Sequence, residues 1–130
     1  MAQVVLGLGM MLGGFFVLNM DMEGDSVQGF SKADMFKMSL SDAQLKARIR
    51  SGEDFVVVGF APWCIACKRF APVFGEARSE LGDRLVAYNA DAGKALDVNV
   101  FPTLIRYKGG KEVKRQEGSL PLADLIKFAK

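Results

Sequence analysis

Phe55-Val56-Val57-Val58-Gly59-Phe60-Ala61-Pro62-Trp63-Cys64-Ile65-Ala66-Cys67-Lys68-Arg69-Phe70-Ala71-Pro72, continuing to Leu81, is the stretch that decides the fold. Its first six residues lack polar alternation, as expected of a strand covered on both faces in a sheet with parallel neighbours. After Ala61, Pro62 and Trp63 the period changes. Phe70, Phe74, Ala77 and Leu81 recur at helical spacing, while Lys68, Arg69, Glu76 and Glu80 lie off that stripe. The reading is a buried strand feeding a helix whose first turn carries Cys64 and Cys67. A helix N-terminus offers unpaired N–H groups and the positive end of the macrodipole, both of which favour an anion. Cys64 is therefore the expected nucleophile, with a lowered pKa, and Cys67, one turn on, the resolving thiol. Pro72 should kink the helix, because it removes a hydrogen bond and crowds the preceding turn.

The rest of the chain supplies alternating elements. Met35 to Met38 reads as a short first strand. Leu40-Ser41-Asp42-Ala43-Gln44-Leu45 is a helix start, with Ser41 as N-cap, Gln44 closing the capping box and Leu40 stapled to Leu45. That helix is expected to run to about Arg50 and stop at Gly52. Arg84 to Asn89 reads as a strand and Ala92 to Asp97 as a short helix or turn. Thr103 to Tyr107 and Glu112 to Glu117 flank Gly109-Gly110 as a hairpin, its second strand at the sheet edge. Ser119 is the expected cap of a last helix with Pro121 in its first turn and Leu122, Leu125, Ile126 and Ala129 on its buried stripe. The pattern is an α/β sandwich, a central mixed sheet flanked by helices.

Composition narrows the chemistry. A chain of 130 residues accommodates one modest core and a short appendage. Lys and Arg number 17 against 15 for Asp and Glu, a net charge of +2 that gives no reason to invoke nucleic acid. Two cysteines in one motif exclude a disulfide scaffold. The absence of histidine excludes His-based general-base catalysis and a Cys/His zinc site. Metal binding would need a dimer sharing four thiolates, so neither a metal nor a cofactor is expected.

Residues 2–20 hold no charged side chain and are rich in Val, Leu, Met and Phe. As a helix they would span about 28 Å, against a hydrocarbon core of about 30 Å. We read residues 1–20 as a single-pass transmembrane anchor. A cleaved signal peptide is the competing reading, without the basic n-region or the small-x-small site that it requires. Gly9 and Gly13 form a small-xxx-small pair able to join two anchors into a weak dimer. Residues 21–34, acidic and containing glycine, read as a linker, and residues 35–130 as the folded domain. Lys32 and Lys37 after the span lean toward a cytoplasmic domain by the positive-inside rule.

Ala61-Pro62-Trp63-Cys64 with Cys67-Lys68, Ala71-Pro72, Tyr88-Asn89-Ala90-Asp91, Phe101-Pro102-Thr103 and Gly118 together resemble the thioredoxin superfamily, and more closely the catalytic domains of protein disulfide isomerases. The resemblance covers roughly residues 35–130. It implies a thioredoxin fold, protein thiol or disulfide substrates, an unidentified redox partner and an extracytoplasmic or lumenal domain. It also implies a cis bond before Pro102, beside the dithiol, with the backbone of Phe101 and the Trp63 ring binding substrate. Departures accompany it. The family's buried acid would stand at Val58 and its lysine partner at Val57. Leu120 occupies the place of an isomerase arginine, for which Arg115 is a candidate substitute. Ile65-Ala66 between the cysteines matches neither thioredoxins nor isomerases, so redox direction stays open. Two functions follow: a membrane-anchored thiol–disulfide oxidoreductase, or a tethered thioredoxin-fold binding module with little turnover.

Overall fold

The computed structural model describes residues 30–130, and the expected anchor and most of the expected linker lie outside them. In chain order the elements are α1 (Lys32–Lys37), α2 (Asp42–Arg50), β1 (Phe55–Phe60), α3 (Ile65–Leu81), β2 (Leu85–Asn89), β3 (Thr103–Lys108), β4 (Lys111–Glu117) and α4 (Leu122–Ala129), with a 3-10 turn over Gly82–Arg84. The sheet order is β2-β1-β3-β4. β1 pairs parallel with β2 and antiparallel with β3, and β4 closes the edge antiparallel to β3. All six residues of β1 are buried, which is why its sequence shows no alternation.

Alternation reappears as a division between two cores. Val56, Val58 and Phe60 share one buried cluster with Met35 of α1, Cys67, Phe70 and Phe74 of α3, and Leu125 and Ala129 of α4. Phe55 and Val57 face the other way, toward Leu45 of α2, Tyr88, Leu96 and Ile105. At the start of β1 the half-exposed Asp54 binds Arg106 of β3 through two hydrogen bonds of 2.9 and 2.8 Å. This pair holds the end of the sheet remote from the cysteines.

Several local expectations hold. Ser41 and Gln44 form the reciprocal capping box of α2, and Gly52 follows that helix with φ +80°. Gly109 and Gly110 take φ values of 63° and 82°, the left-handed pair that a two-residue hairpin requires. β4 is an edge strand with nearly every side chain exposed, charged at Lys111, Glu112, Lys114 and Arg115. α3 runs on through Pro72.

Three expectations are corrected. Met35 to Met38 is not a strand. Ser31 and Asp34 make a second capping box that starts α1, and Met35 projects from that helix into the core with no exposed surface. The chain meets the sheet only at Leu40, whose N–H donates to Ala87 O at 2.9 Å in a single parallel bridge with Tyr88. Residues 30–34 of the expected linker are thus part of the folded body, with Phe30 packed at a tilt against Phe74, 5.6 Å between ring centroids. Ser119 does not cap α4. Pro121 is the N-cap, with no side-chain hydrogen bond, because Ser119 stands two residues too early for its hydroxyl to take the N-cap position. Of the two readings of Ala92 to Asp97, short helix or turn, the second holds, since the segment consists of turns and bends.

Tyr88 and Asp42 fasten that irregular segment. The Tyr88 hydroxyl donates to the Asp42 carboxylate and accepts from Ala95 N–H at 2.9 Å, while Lys94 N–H reaches the other Asp42 oxygen at 3.3 Å. A Cβ on Gly93 would collide with the Tyr88 hydroxyl, so this position admits only glycine without rearrangement.

Candidate active site

β1 ends at Phe60 and points the chain out of the sheet. Ala61, Pro62 and Trp63 turn it, and Cys64 becomes the N-cap of α3 with extended backbone angles of −79° and 120°. An N-cap side chain normally lends an oxygen to the amides of the first turn. Here sulfur takes that place, the Cys64 Sγ accepting from Cys67 N–H at 3.1 Å. Its thiol also points at the carbonyl of Phe101, 3.4 Å away. Both cysteines are free thiols. Cys64 is 5% exposed and Cys67 fully buried, so any partner sulfur must approach Cys64 first.

The opposite wall comes from the loop before β3. The Phe101–Pro102 bond is cis, as the resemblance implied. Gly118, φ +94°, donates its N–H to Pro102 O at 2.8 Å and ties this loop to the end of β4. Trp63 lies edge-on to Phe101, with ring centroids 5.5 Å apart at 84°, yet keeps 65% of its surface in solvent. Ile65 is 67% exposed. Together they form an apolar rim around the one sulfur within reach. Trp63, Cys64, Cys67, Phe101 and Pro102 are therefore brought together in one place.

Beneath the thiols the surroundings are apolar. The residues sharing the buried cluster with Cys67 include Met35, Val58, Phe60, Ala61 and Phe70, none of them ionisable. Burial, reinforced by the hydrogen bond with Cys64, pushes the Cys67 thiol up to about 12. The Lys32 ammonium opposes that rise from α1.

The structure corrects two assignments made from the resemblance. Val57 cannot stand where a partner of Val58 would, because successive strand residues face opposite sides of the sheet. The residue beside Val58 on β2 is Ala87, on the dithiol side. Arg115 cannot act at the dithiol either. It pairs across the strands with Ile105, on the other face, and binds Glu112 through two hydrogen bonds of 2.8 and 2.9 Å and Asp97 O at 3.1 Å.

Sequence reasoning missed α1, which packs through Met35 on the buried cluster that Cys67 shares. Ser31 and Asp34, three apart ahead of Met35, were the available signal. α1 and the turn after β2 enclose a groove of about 520 Å³ lined by Lys32, Ala33, Phe36, Pro62, Asn89 and Ala92, among others. Among the described residues, no group of three or more His, Cys, Asp or Glu is placed to hold a metal, and no helix is long and apolar enough to cross a membrane.

Comparison with known proteins gives the same fold. Residues 36–130 match the family described as Thioredoxin. Thioredoxin-2 of Saccharomyces cerevisiae is 37% identical over 89 residues, covering 64% of this chain and 86% of that protein. Protein disulfide isomerase-like 2-2 of Oryza sativa subsp. japonica is 36% identical over 85 residues, but those cover 58% of this chain and only 23% of the longer protein. The X-ray structure of Fasciola hepatica thioredoxin superposes with a TM-score of 0.61 at 29% identity, covering 69% of this chain and 95% of that one. A dithiol capping α3, set against a cis-proline loop, on a chain matched from residue 36 to its last residue, makes this protein a member of the thioredoxin family.

Proposed function

We propose that the chain exchanges disulfides with protein substrates through Cys64 and Cys67 while residues 1–20 hold it at a membrane, its domain on the extracytoplasmic or lumenal side. The observation that carries the chemistry is the Cys64 Sγ at the start of α3, accepting from Cys67 N–H and facing the Phe101 carbonyl. As a thiolate, Cys64 gains from the amide and from the helix dipole. It attacks one sulfur of a substrate disulfide, and the other substrate sulfur leaves as a thiolate and is protonated. Cys67, once deprotonated, attacks the Cys64 sulfur and displaces the second substrate thiolate. Two electrons pass to the substrate and a Cys64–Cys67 disulfide remains, to be reduced by a separate donor. The reverse sequence oxidises substrate. Trp63, Phe101 and Pro102 supply the surface on which the substrate lies.

In an insulin-reduction assay, C64S should lower turnover at least about a thousandfold, as expected when a nucleophile is removed. Retained activity would overturn the assignment. Redox direction is read from the equilibrium potential of the pair in glutathione buffer: near about −270 mV for a reductant, near about −180 mV for an oxidase or isomerase. The anchor is tested on the full chain in membranes, where alkaline carbonate should fail to extract it and protease protection should report the side.

The apolar setting of Cys67 favours a second reading, a tethered binding module. A resolving thiol held protonated prolongs the mixed disulfide, and a long-lived adduct is a form of capture. Stable adducts of the wild-type chain without multiple turnover would support this reading, and rapid turnover would remove it.

A further inference from the structure

Phe36 leaves 50% of its surface in solvent, yet its ring is held in place. It packs edge-on against Phe60, 6.4 Å between centroids, and its neighbour Met35 anchors α1 in the core. Phe36, Ala33, Pro62 and Ala92 give the groove between α1 and the turn after β2 an apolar lining. At about 520 Å³ the groove has room for more than one side chain. Both of its walls are fixed by the fold. The Ser31–Asp34 capping box starts α1. Opposite, the Asn89 side chain accepts from Asp91 N–H and Ala92 N–H, both at 3.2 Å, and Ala90 N–H donates to Phe60 O at 2.9 Å. A groove held in this way has little conformational freedom to lose on binding.

Charge decides what kind of segment fits. Lys32, Lys37 and Asp91 line the groove, two ammonium groups against one carboxylate. Neither lysine forms a salt bridge among the described residues. Asp34, the carboxylate on the same helix, is engaged by the Ser31 cap. An apolar lining with surplus positive charge is complementary to an apolar side chain accompanied by a carboxylate. Position ties the groove to the dithiol. Pro62 lines it, and the next residue is Trp63, the exposed ring that precedes Cys64. Two steps of chain from Pro62 to Cys64 span at most about 7 Å, and an extended substrate advances about 3.3 Å per residue. Substrate residues two or three from the reacting cysteine therefore come level with the Pro62 end of the groove.

We infer that this groove is a specificity subsite for disulfide exchange, taking from a protein substrate an apolar side chain with an adjoining carboxylate, two or three residues from the attacked cysteine. This rests on the dithiol reading proposed above. Phe36 and Pro62 receive the apolar group, and Lys32 and Lys37 attract the carboxylate.

The test uses short peptides whose cysteine is joined by a disulfide to nitrothiobenzoate, mixed with the reduced full chain. The Cys64 thiolate attacks the peptide sulfur, a Cys64–peptide disulfide forms, and nitrothiobenzoate leaves with the electron pair as a coloured thiolate. Resolution by Cys67 frees the peptide thiol instead, so colour reports the first attack alone. The peptides carry Leu-Glu, Leu-Lys or Gly-Glu starting two residues from the cysteine, on either side of it, and each rate is divided by that with 2-mercaptoethanol. In at least one direction Leu-Glu should react about tenfold faster than Leu-Lys, since a repulsion replaces an attraction. It should react about fivefold faster than Gly-Glu, through partial burial of the leucine. Molar salt should erase the first ratio and keep the second. K32E/K37E should invert the first ratio, and F36S should abolish the second. Each ratio is taken within one variant, so a general loss of activity or stability moves neither. Equal rates for the three wild-type reactions, or a charge preference unchanged in K32E/K37E, would overturn the inference and leave the dithiol chemistry intact. Absence of release from every peptide would overturn the dithiol reading and this inference with it.

Discussion

The two faces of the central sheet solve different problems with neighbouring residues of the same strands. On the dithiol face, Val58, Phe60 and Ala87 meet α1, α3 and α4 in a core whose ionisable members are Cys64 and Cys67 themselves. On the opposite face, Tyr88 binds Asp42 and accepts from the backbone after Gly93, so a polar network holds an irregular segment where no helix forms. Dryness on one side keeps the Cys67 sulfur protonated, and the alternation of side chains along β2 alone separates this from a tyrosine one residue further on. The comparison teaches that the reactivity of the site is set by what its own face omits.

Three changes break or sharpen that contrast. The largest effect is expected from F74A, which hollows the dithiol face beneath α3. Phe74 is fully buried and packs against Phe30, so truncation should cost about 3–5 kcal/mol in urea unfolding. It should also lower insulin-reduction turnover, since the segment that leads into α1 packs on the same ring.

G93A acts on the other face. Its Cβ would meet the Tyr88 hydroxyl and Asp42, forcing the segment to shift. A loss of about 1–2 kcal/mol is expected from overpacking, with insulin-reduction turnover unchanged. Slowed turnover in G93A would show that the two faces are coupled.

The smallest effect per step is a pH dependence. Folding holds the Cys67 proton up to about 12, whereas the unfolded chain releases it near the ordinary thiol value. Between those limits the folded state binds more protons, so stability falls as pH rises, by up to about 1.4 kcal/mol per pH unit. The contribution is fully present below the ordinary thiol pKa. Urea midpoints of the reduced protein from pH 8 to 10.5 should show the decline, and C67A should flatten it. An equal slope in C67A would place the titrating group elsewhere.

Much of the site was legible because its signals are local. An unbroken apolar run implies a strand covered twice, a change of period implies the helix, and two cysteines in its first turn imply a dithiol at an N-terminus. Ser41 with Gln44 and Gly109 with Gly110 were equally plain, since a cap or a tight turn is settled by residues within hydrogen-bonding distance along the chain. Met35 to Met38 was misread because four residues of mixed polarity fit either period, and the cap that settles the matter begins at Ser31, inside what looked like a tether. Ser119 was misplaced because a capping residue is recognisable only once the first helical residue is known.

By itself the sequence determined the candidate reacting atoms of this thioredoxin-family chain and their order along a strand and a helix, because side-chain chemistry and backbone period are properties of short segments, while the proline loop that faces them came from the resemblance. Only the tertiary structure decided that Ala87 rather than Val57 lies beside Val58, that Arg115 is turned away from the dithiol, and that Met35 of α1 enters the core that Cys67 shares. Those facts depend on strand register and on how α1 docks against α3, contacts between residues distant along the chain whose geometry appears only when the core has formed.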